Sequence, residues 1–135
     1  MKKAYLFIAL ALASISLQAK YFKGSEIYST TSYLYGRFEM SIKAAPGSGQ
    51  LSTFFLYRNN SETSKALWQE IDIEIFGKDS NVFQTNVIVE KTEGNKLHTE
   101  AKHSTKRSLS ALYHKYVIEW TPDSINWFID DSLLR

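Results

Sequence analysis

From Glu70 to Ile75 the chain alternates without a break, with Ile71, Ile73 and Ile75 on one side and Glu70, Asp72 and Glu74, together with the preceding Trp68, on the other. Successive side chains point to opposite faces in a strand, so this period of two predicts a strand with one apolar and one acidic face. Gly36 to Lys43 repeats the pattern with Phe38, Met40 and Ile42 inward, as in a half-buried antiparallel strand. Ala44 to Gly49 contains Pro46, Gly47 and Gly49 and reads as the turn that follows. Leu51 to Asn59 resumes as a strand. Its Phe55, Tyr57 and Asn59 share one face, an aromatic and amide series that resembles a lining, while Phe54, Leu56 and Arg58 share the other.

Before these segments, Ile27 to Thr31 is expected to open the first extended stretch, and Asn60 to Leu67 is a polar loop without a period. Val82 to Val89 is rich in β-branched residues and brings Gln84 and Asn86 to one face. Glu90 to Leu112 is mixed, with scattered lysines, and predicts a solvated loop holding one weak strand at most. Tyr116 to Trp120 and Ile125 to Ile129 flank Thr121-Pro122-Asp123-Ser124 in a strand, turn, strand pattern, and Asp130 to Ser132 reads as the next turn. No helical period runs for three turns after the first segment of the chain. An all-β, antiparallel β-sandwich is therefore expected.

A chain of 135 residues supports one domain with a core of its own. Met1-Lys2-Lys3 followed by the apolar run Ala4 to Ala19 has the charged start and apolar middle of a secretory signal. Residues 1–19 are thus expected to be a signal peptide and residues 20–135 the domain, secreted to the extracellular space or periplasm. There is no cysteine, which excludes disulfides and a lipid-anchored cysteine. Without Lys2 and Lys3 the 16 basic residues fall to 14, equal to the 14 acidic ones. A neutral domain gives no electrostatic reason to expect nucleic acid or a membrane as partner.

The acidic face suggests a chemistry. At a rise of about 3.3 Å per residue, the Cα atoms of Glu70 and Glu74 lie roughly 13 Å apart, and side chains leaning together shorten this greatly. A carboxyl separation of about 5–5.5 Å suits a retaining glycosidase, with one group as nucleophile and the other as acid and then base. Asp72 between them is placed to orient one Glu. Like charges this close raise at least one pKa, so one group stays protonated near neutrality. Plainer readings stand beside this one. The carboxylates could be a solvent face or charges that deter edge pairing, and Phe55, Tyr57 and Trp68 could be ordinary core aromatics. His98, His103 and His114 have no ligand spacing and read as structural or exposed.

Trp68-Gln69-Glu70-Ile71-Asp72-Ile73-Glu74-Ile75-Phe76-Gly77-Lys78-Asp79 resembles the active-site strand of the family 16 glycoside hydrolases, in the uninterrupted Glu-x-Asp-x-Glu form of the bacterial lichenases. Tyr35-Gly36-Arg37-Phe38-Glu39, Phe54 to Asn59, Phe83-Gln84-Thr85-Asn86 and Tyr113 through Pro122 are similar to further strands of that family. The resemblance implies a concanavalin-like β-jelly roll, incomplete at its C-terminal end, and a retaining endo-β-glucanase acting on mixed-linkage β-1,3-1,4-glucan. It implies Glu70 as nucleophile, Glu74 as acid/base and Asp72 as the orienting residue. Phe55, Tyr57, Asn59, Glu62, Trp68, Gln84 and Asn86 would line the subsites. The short lead before Ile27 resembles the circularly permuted lichenases of rumen bacteria, and the end at Arg135 that of a truncated chain. Asp131 stands where the family usually has a turn glycine.

No cofactor or catalytic metal is required by this chemistry, a structural calcium stays open, and the expected partner of a monomeric protein is a β-glucan polysaccharide. A transglycosylase of the same fold would keep the same carboxylates and differ in its acceptor. A non-catalytic glucan-binding fragment would keep the aromatic lining, although loss of one Glu would be its usual mark and both are present.

Overall fold

The computed structural model describes residues 23–60 and 66–135, and every regular element among them is a β-strand. In chain order these are β1 (Gly36–Ile42), β2 (Leu51–Tyr57), β3 (Gln69–Phe76), β4 (Val82–Thr92), β5 (Asn95–His98), β6 (Ala101–Ser104), β7 (His114–Trp120), β8 (Ile125–Ile129) and β9 (Ser132–Leu133). One antiparallel sheet runs β1-β7-β8-β9 and the other β2-β3-β4-β5, with β6 also pairing with β4. The antiparallel sandwich expected from the alternation is the observed architecture. The signal peptide expected over residues 1–19 lies outside the described residues.

The core follows from the period of two. Ile71, Ile73 and Ile75 of β3 turn inward with Phe54 of β2 and Phe83 of β4, and meet Tyr116 and Ile118 of β7 and Trp127 and Ile129 of β8. Each buried isoleucine side chain contributes about 1.5–3 kcal/mol of transfer free energy. A one-residue slip of β3 would exchange these three for its carboxylates, so the core fixes the register.

Where the chain leaves β3, Gly77 donates its N–H to the Gln50 carbonyl at 2.9 Å and accepts from Gly47 N at 2.8 Å. The turn over residues 44–50 thereby closes on the strand end. A Cβ at Gly77 would stand 2.5 Å from the Ala45 oxygen and 2.6 Å from the Gly47 oxygen, so glycine is required here for space. At the other hairpin, Asp130 and Asp131 take φ of 46° and 66°, the left-handed pair that a two-residue turn between twisted strands demands. Their carboxylates have local partners: Asp130 accepts from Lys115 N at 2.9 Å and meets His114 Nδ1 at 2.7 Å, and Asp131 lies 2.5 Å from Lys115 Nζ.

Several expectations change. Ile27 to Thr31 is not a strand, and Ser29 Oγ instead donates to the Thr31 carbonyl at 2.8 Å, a local bond that competes with extended pairing. Met40, expected inward, is 44% exposed, because β1 is an edge strand and is covered less than β7. β2 ends at Tyr57, short of Asn59. The expected loop after Val89 instead continues β4 to Thr92 and then forms β5 and β6, which share the far edge of β4. β5 is exposed on both faces, which removes the alternation that would reveal it, and β6 alternates over only four residues, with Ala101 and His103 half-buried.

Replacing Gly77 with Ala should destabilise the protein by about 1–3 kcal/mol, as inserting atoms into a filled space does. A lower urea midpoint with an unchanged m value is the expected result, and an unchanged midpoint would remove the Gly77 contact from its place in anchoring β3.

Candidate active site

β3 lies between β2 and β4, and the two ladders determine what stands beside each carboxylate. Glu70 is opposite Tyr57 on one side and Ile88 on the other, Asp72 is opposite Phe55 and Asn86, and Glu74 is opposite Thr53 and Gln84. Directly paired residues in an antiparallel ladder share a face. The structure therefore brings Phe55, Tyr57, Gln84 and Asn86 onto the carboxylate face, as the alternation of each strand predicts. Asn59 lies in the exposed turn after β2, beyond the paired residues, and Glu62 lies outside the described residues.

The outer carboxylates are each held by a neutral donor. Trp68 Nε1 donates to Glu70 Oε2 at 2.8 Å, and the Gln84 side-chain amide donates to Glu74 Oε2. Trp68 in turn meets Tyr57 edge to face, with ring centroids 5.2 Å apart. Asn86 accepts the Thr99 N–H on its side-chain oxygen at 3.0 Å. Gln84 and Asn86 are both buried, so on this face they support the carboxylates and the sheet edge as well as bordering the surface.

Asp72 differs from its neighbours in solvation. It is 5% exposed, whereas Glu70 and Glu74 are only partly covered. Burial pushes its carboxyl up to about 8, and the Glu70 charge, a hydrogen bond with Glu70 and the Glu74 charge add to the rise. The middle carboxyl is thus the one that its surroundings push toward the protonated form near neutrality. Its Oδ1 is buried with no hydrogen-bond partner among the described residues. The main chain below is held across the sandwich, because Trp127 Nε1 of β8 donates to the Asp72 carbonyl at 3.1 Å.

Sequence reasoning missed three contributors. Trp127 carried only a strand pattern, and nothing local shows that its indole reaches the other sheet. Glu90 and Lys96 fell in the segment read as loop. Glu90 accepts Trp68 N at 2.9 Å and Gly94 N at 2.6 Å, and its own N–H donates to the Trp68 carbonyl at 2.8 Å. Lys96 Nζ sits 3.6 Å from the centre of the Trp68 ring. The ladders also place His98 and Lys102 on the carboxylate face, opposite Ile88 and Gln84. His103 bonds with Thr85 Oγ1 at 2.9 Å, and His114 is buried against Asp130.

Among the described residues no group of three or more His, Cys, Asp or Glu is placed to hold a metal ion. A cavity of about 550 Å³ opens elsewhere, lined by Val87, Thr99, Trp120, Trp127 and Arg135 among others and by none of the three carboxylates.

Residues 6–135 match the sequence profile of Glycosyl hydrolases family 16. A beta-glucanase of Fibrobacter succinogenes is 37% identical over 136 residues, a match that takes in 98% of this chain and 39% of that protein. Among solved structures, a Bacillus licheniformis beta-glucanase aligns with a TM-score of 0.67 at 34% identity, covering 78% of this chain and 47% of that one. A prokaryotic beta-1,3-1,4-glucanase (lichenase) derived from a mouse hindgut metagenome aligns with a TM-score of 0.63 at 29% identity, covering 75% and 44%. The chain spans less than half the length of each of these proteins. Sandwich, carboxylate row and a profile match over nearly the whole sequence agree, and the chain belongs to glycosyl hydrolases family 16.

Proposed function

We propose that this chain carries the catalytic strand of a secreted endo-β-glucanase that cleaves mixed-linkage β-1,3-1,4-glucan with retention of configuration. The observation that carries the reading is the row Glu70, Asp72, Glu74, with a donor fixed on each outer carboxylate and a buried, protonated acid between them. The similarity to beta-glucanases and to a lichenase supports the substrate class. The charged start and apolar run of residues 1–19 support export, and the equal 14 basic and 14 acidic residues that remain without Lys2 and Lys3 support a monomer acting on a polysaccharide away from membranes and nucleic acid.

In this reading Glu70 attacks the anomeric carbon while Glu74, which enters the cycle carrying a proton taken from solvent in addition to the one on Asp72, gives that proton to the departing glycosidic oxygen. Glu74 then takes a proton from water, which displaces Glu70 from the glycosyl-enzyme. Trp68 Nε1 and the Asp72 proton both serve Glu70, and they keep its charge localised and its oxygen aimed. Phe55, Tyr57 and Trp68 supply apolar surface beside the reacting sugar, and Asn59 and Glu62 extend the lining along the chain. A sugar acceptor in place of water would make the same steps a transglycosylation. Product analysis separates the two, because only hydrolysis releases a reducing end for every bond cut.

Two outcomes are expected of the whole protein. Glu70→Gln should lower kcat on mixed-linkage glucan by about a thousandfold or more while binding persists, and Glu74→Ala with azide should give a β-glycosyl azide. An α-azide, or turnover by Glu70→Gln at the wild-type rate, would overturn these roles. Laminarin cleaved in preference to mixed-linkage glucan would overturn the substrate.

Asp72 makes stability depend on pH in a stated direction. Unfolded, its carboxyl loses the proton near 3.9 or so, whereas folded it keeps the proton to about 8. Between these values the folded state binds more protons, so this group's contribution is fully present below pH 4 or so and is lost as pH rises toward 8. Asp72→Asn should flatten the fall of the urea midpoint between pH 5 and pH 8. An equal fall in both proteins would place the proton elsewhere.

A further inference from the structure

Glu90 and Lys96 form a device that the carboxylate chemistry does not by itself call for. They face each other across the β4–β5 ladder. Glu90 holds the main chain of Trp68 through Oε2 and the turn amide of Gly94 through Oε1, at 2.9 and 2.6 Å. Those two main-chain N–H groups, first Trp68 and then Gly94, hold the Glu90 carboxyl below the usual carboxylate range against an opposing effect of desolvation, and the Lys96 charge adds a lesser lowering. The hairpin that carries Lys96 is thus tied to the residue just before the catalytic strand.

Lys96 then reaches back over that residue. Its ammonium lies 3.6 Å from the centre of the Trp68 indole, while the indole N–H points at Glu70 Oε2 at 2.8 Å. Tyr57 meets the same ring edge to face. One face of the indole is therefore occupied by a cation, and the ring is fixed from two sides. A cation over the π face draws electron density from the ring, which makes the indole N–H a stronger donor and orients it. The face that an exposed tryptophan would offer to a sugar is, on this side, taken by the protein's own lysine.

We propose that Lys96 is a positioning residue for Glu70, acting through Trp68: the Glu90-anchored hairpin sets the ammonium on the indole, and the indole holds the nucleophile's Oε2. The proposal rests on the reading of Glu70 as nucleophile. Lys96 itself touches neither substrate nor carboxylate in this role. It follows that Lys96 bears on kcat, that an arginine replaces it, and that the Trp68 N–H reports its presence.

The test compares the unaltered protein with Lys96→Met and Lys96→Arg. The change is at an exposed site, so all three should fold alike. The first measurement is the indole N–H region of the ¹H–¹⁵N spectrum, where three tryptophans give three signals and Trp68→Phe identifies the one from Trp68. In Lys96→Met that signal should move upfield toward a weaker hydrogen bond, and Lys96→Arg should keep it near the original position. On mixed-linkage glucan, Lys96→Met should lose about threefold to fivefold in kcat at unchanged KM, the size of a partly exposed cation–π contact expressed as a rate, and Lys96→Arg should restore most of it. An unmoved Trp68 signal, a rise in KM alone, or an arginine variant as impaired as the methionine one would each overturn the proposal. An unaltered protein that cleaves no glucan would instead overturn the functional reading, and the indole signal would still decide whether Lys96 positions Trp68.

Discussion

A strand cannot place three carboxylates on one face without placing the residues between them on the other, and β3 depends on that constraint throughout. Ile71, Ile73 and Ile75 are buried because Glu70, Asp72 and Glu74 must stay out, and the reverse is equally true. The surrounding contacts resist any slip. Gly77 closes the far end against the turn over residues 44–50, Arg58 N donates to the Gln69 carbonyl at 2.9 Å near the other, and Trp127 reaches through the sandwich to the Asp72 carbonyl. Register is thus pinned at both ends and in the middle. For a site whose chemistry needs carboxyl groups placed within a fraction of an ångström, a central strand bonded on both sides is a stiffer mount than a loop.

The three acids have the same chemistry and differ by solvation. Asp72 has the shortest side chain, sits in the middle and is covered, so it is the one that keeps a proton. Glu70 and Glu74 reach further out and are each satisfied by a neutral N–H donor, Trp68 or Gln84. A neutral donor steadies a carboxylate without pairing it to a fixed opposite charge, and a carboxylate left unpaired remains free to act as nucleophile or base. His98 and Lys102, also on this face, belong to the outer strands β5 and β6, one ladder beyond β4.

Much of this was legible in the sequence because alternation is a local property. The strand from Gln69 to Phe76, its two faces, the Gln84 and Asn86 pair and the aromatic face of β2 all follow from counting in twos. What was not legible depended on partners distant in the chain. Ile27 to Thr31 has strand-forming residues, yet its nearest bond is a local Ser29 hydroxyl contact. Met40 follows the same alternation as Phe38 and Ile42, but how much of an edge strand is covered is a matter of sheet size, which no window of sequence contains. Likewise Asp131 takes a left-handed backbone, which the short polar side chain of Asp tolerates better than most, and its carboxylate finds Lys115 only once the strands are paired.

The β4–β5 hairpin shows why a functional element can hide in a stretch that reads as loop. The residues of β5 are all exposed, so no apolar face betrays that strand, and scattered Lys and Glu look like ordinary solvation. Pairing alone gives those charges a meaning. Once Glu90 stands opposite Lys96, one carboxylate holds the Trp68 main chain while the lysine covers its ring. The information was present as a Glu six residues before a Lys, a spacing with no significance until a turn at Gly94 folds it back. Polar residues on an exposed hairpin beside an active strand are therefore better judged by what their register places opposite them than by their composition.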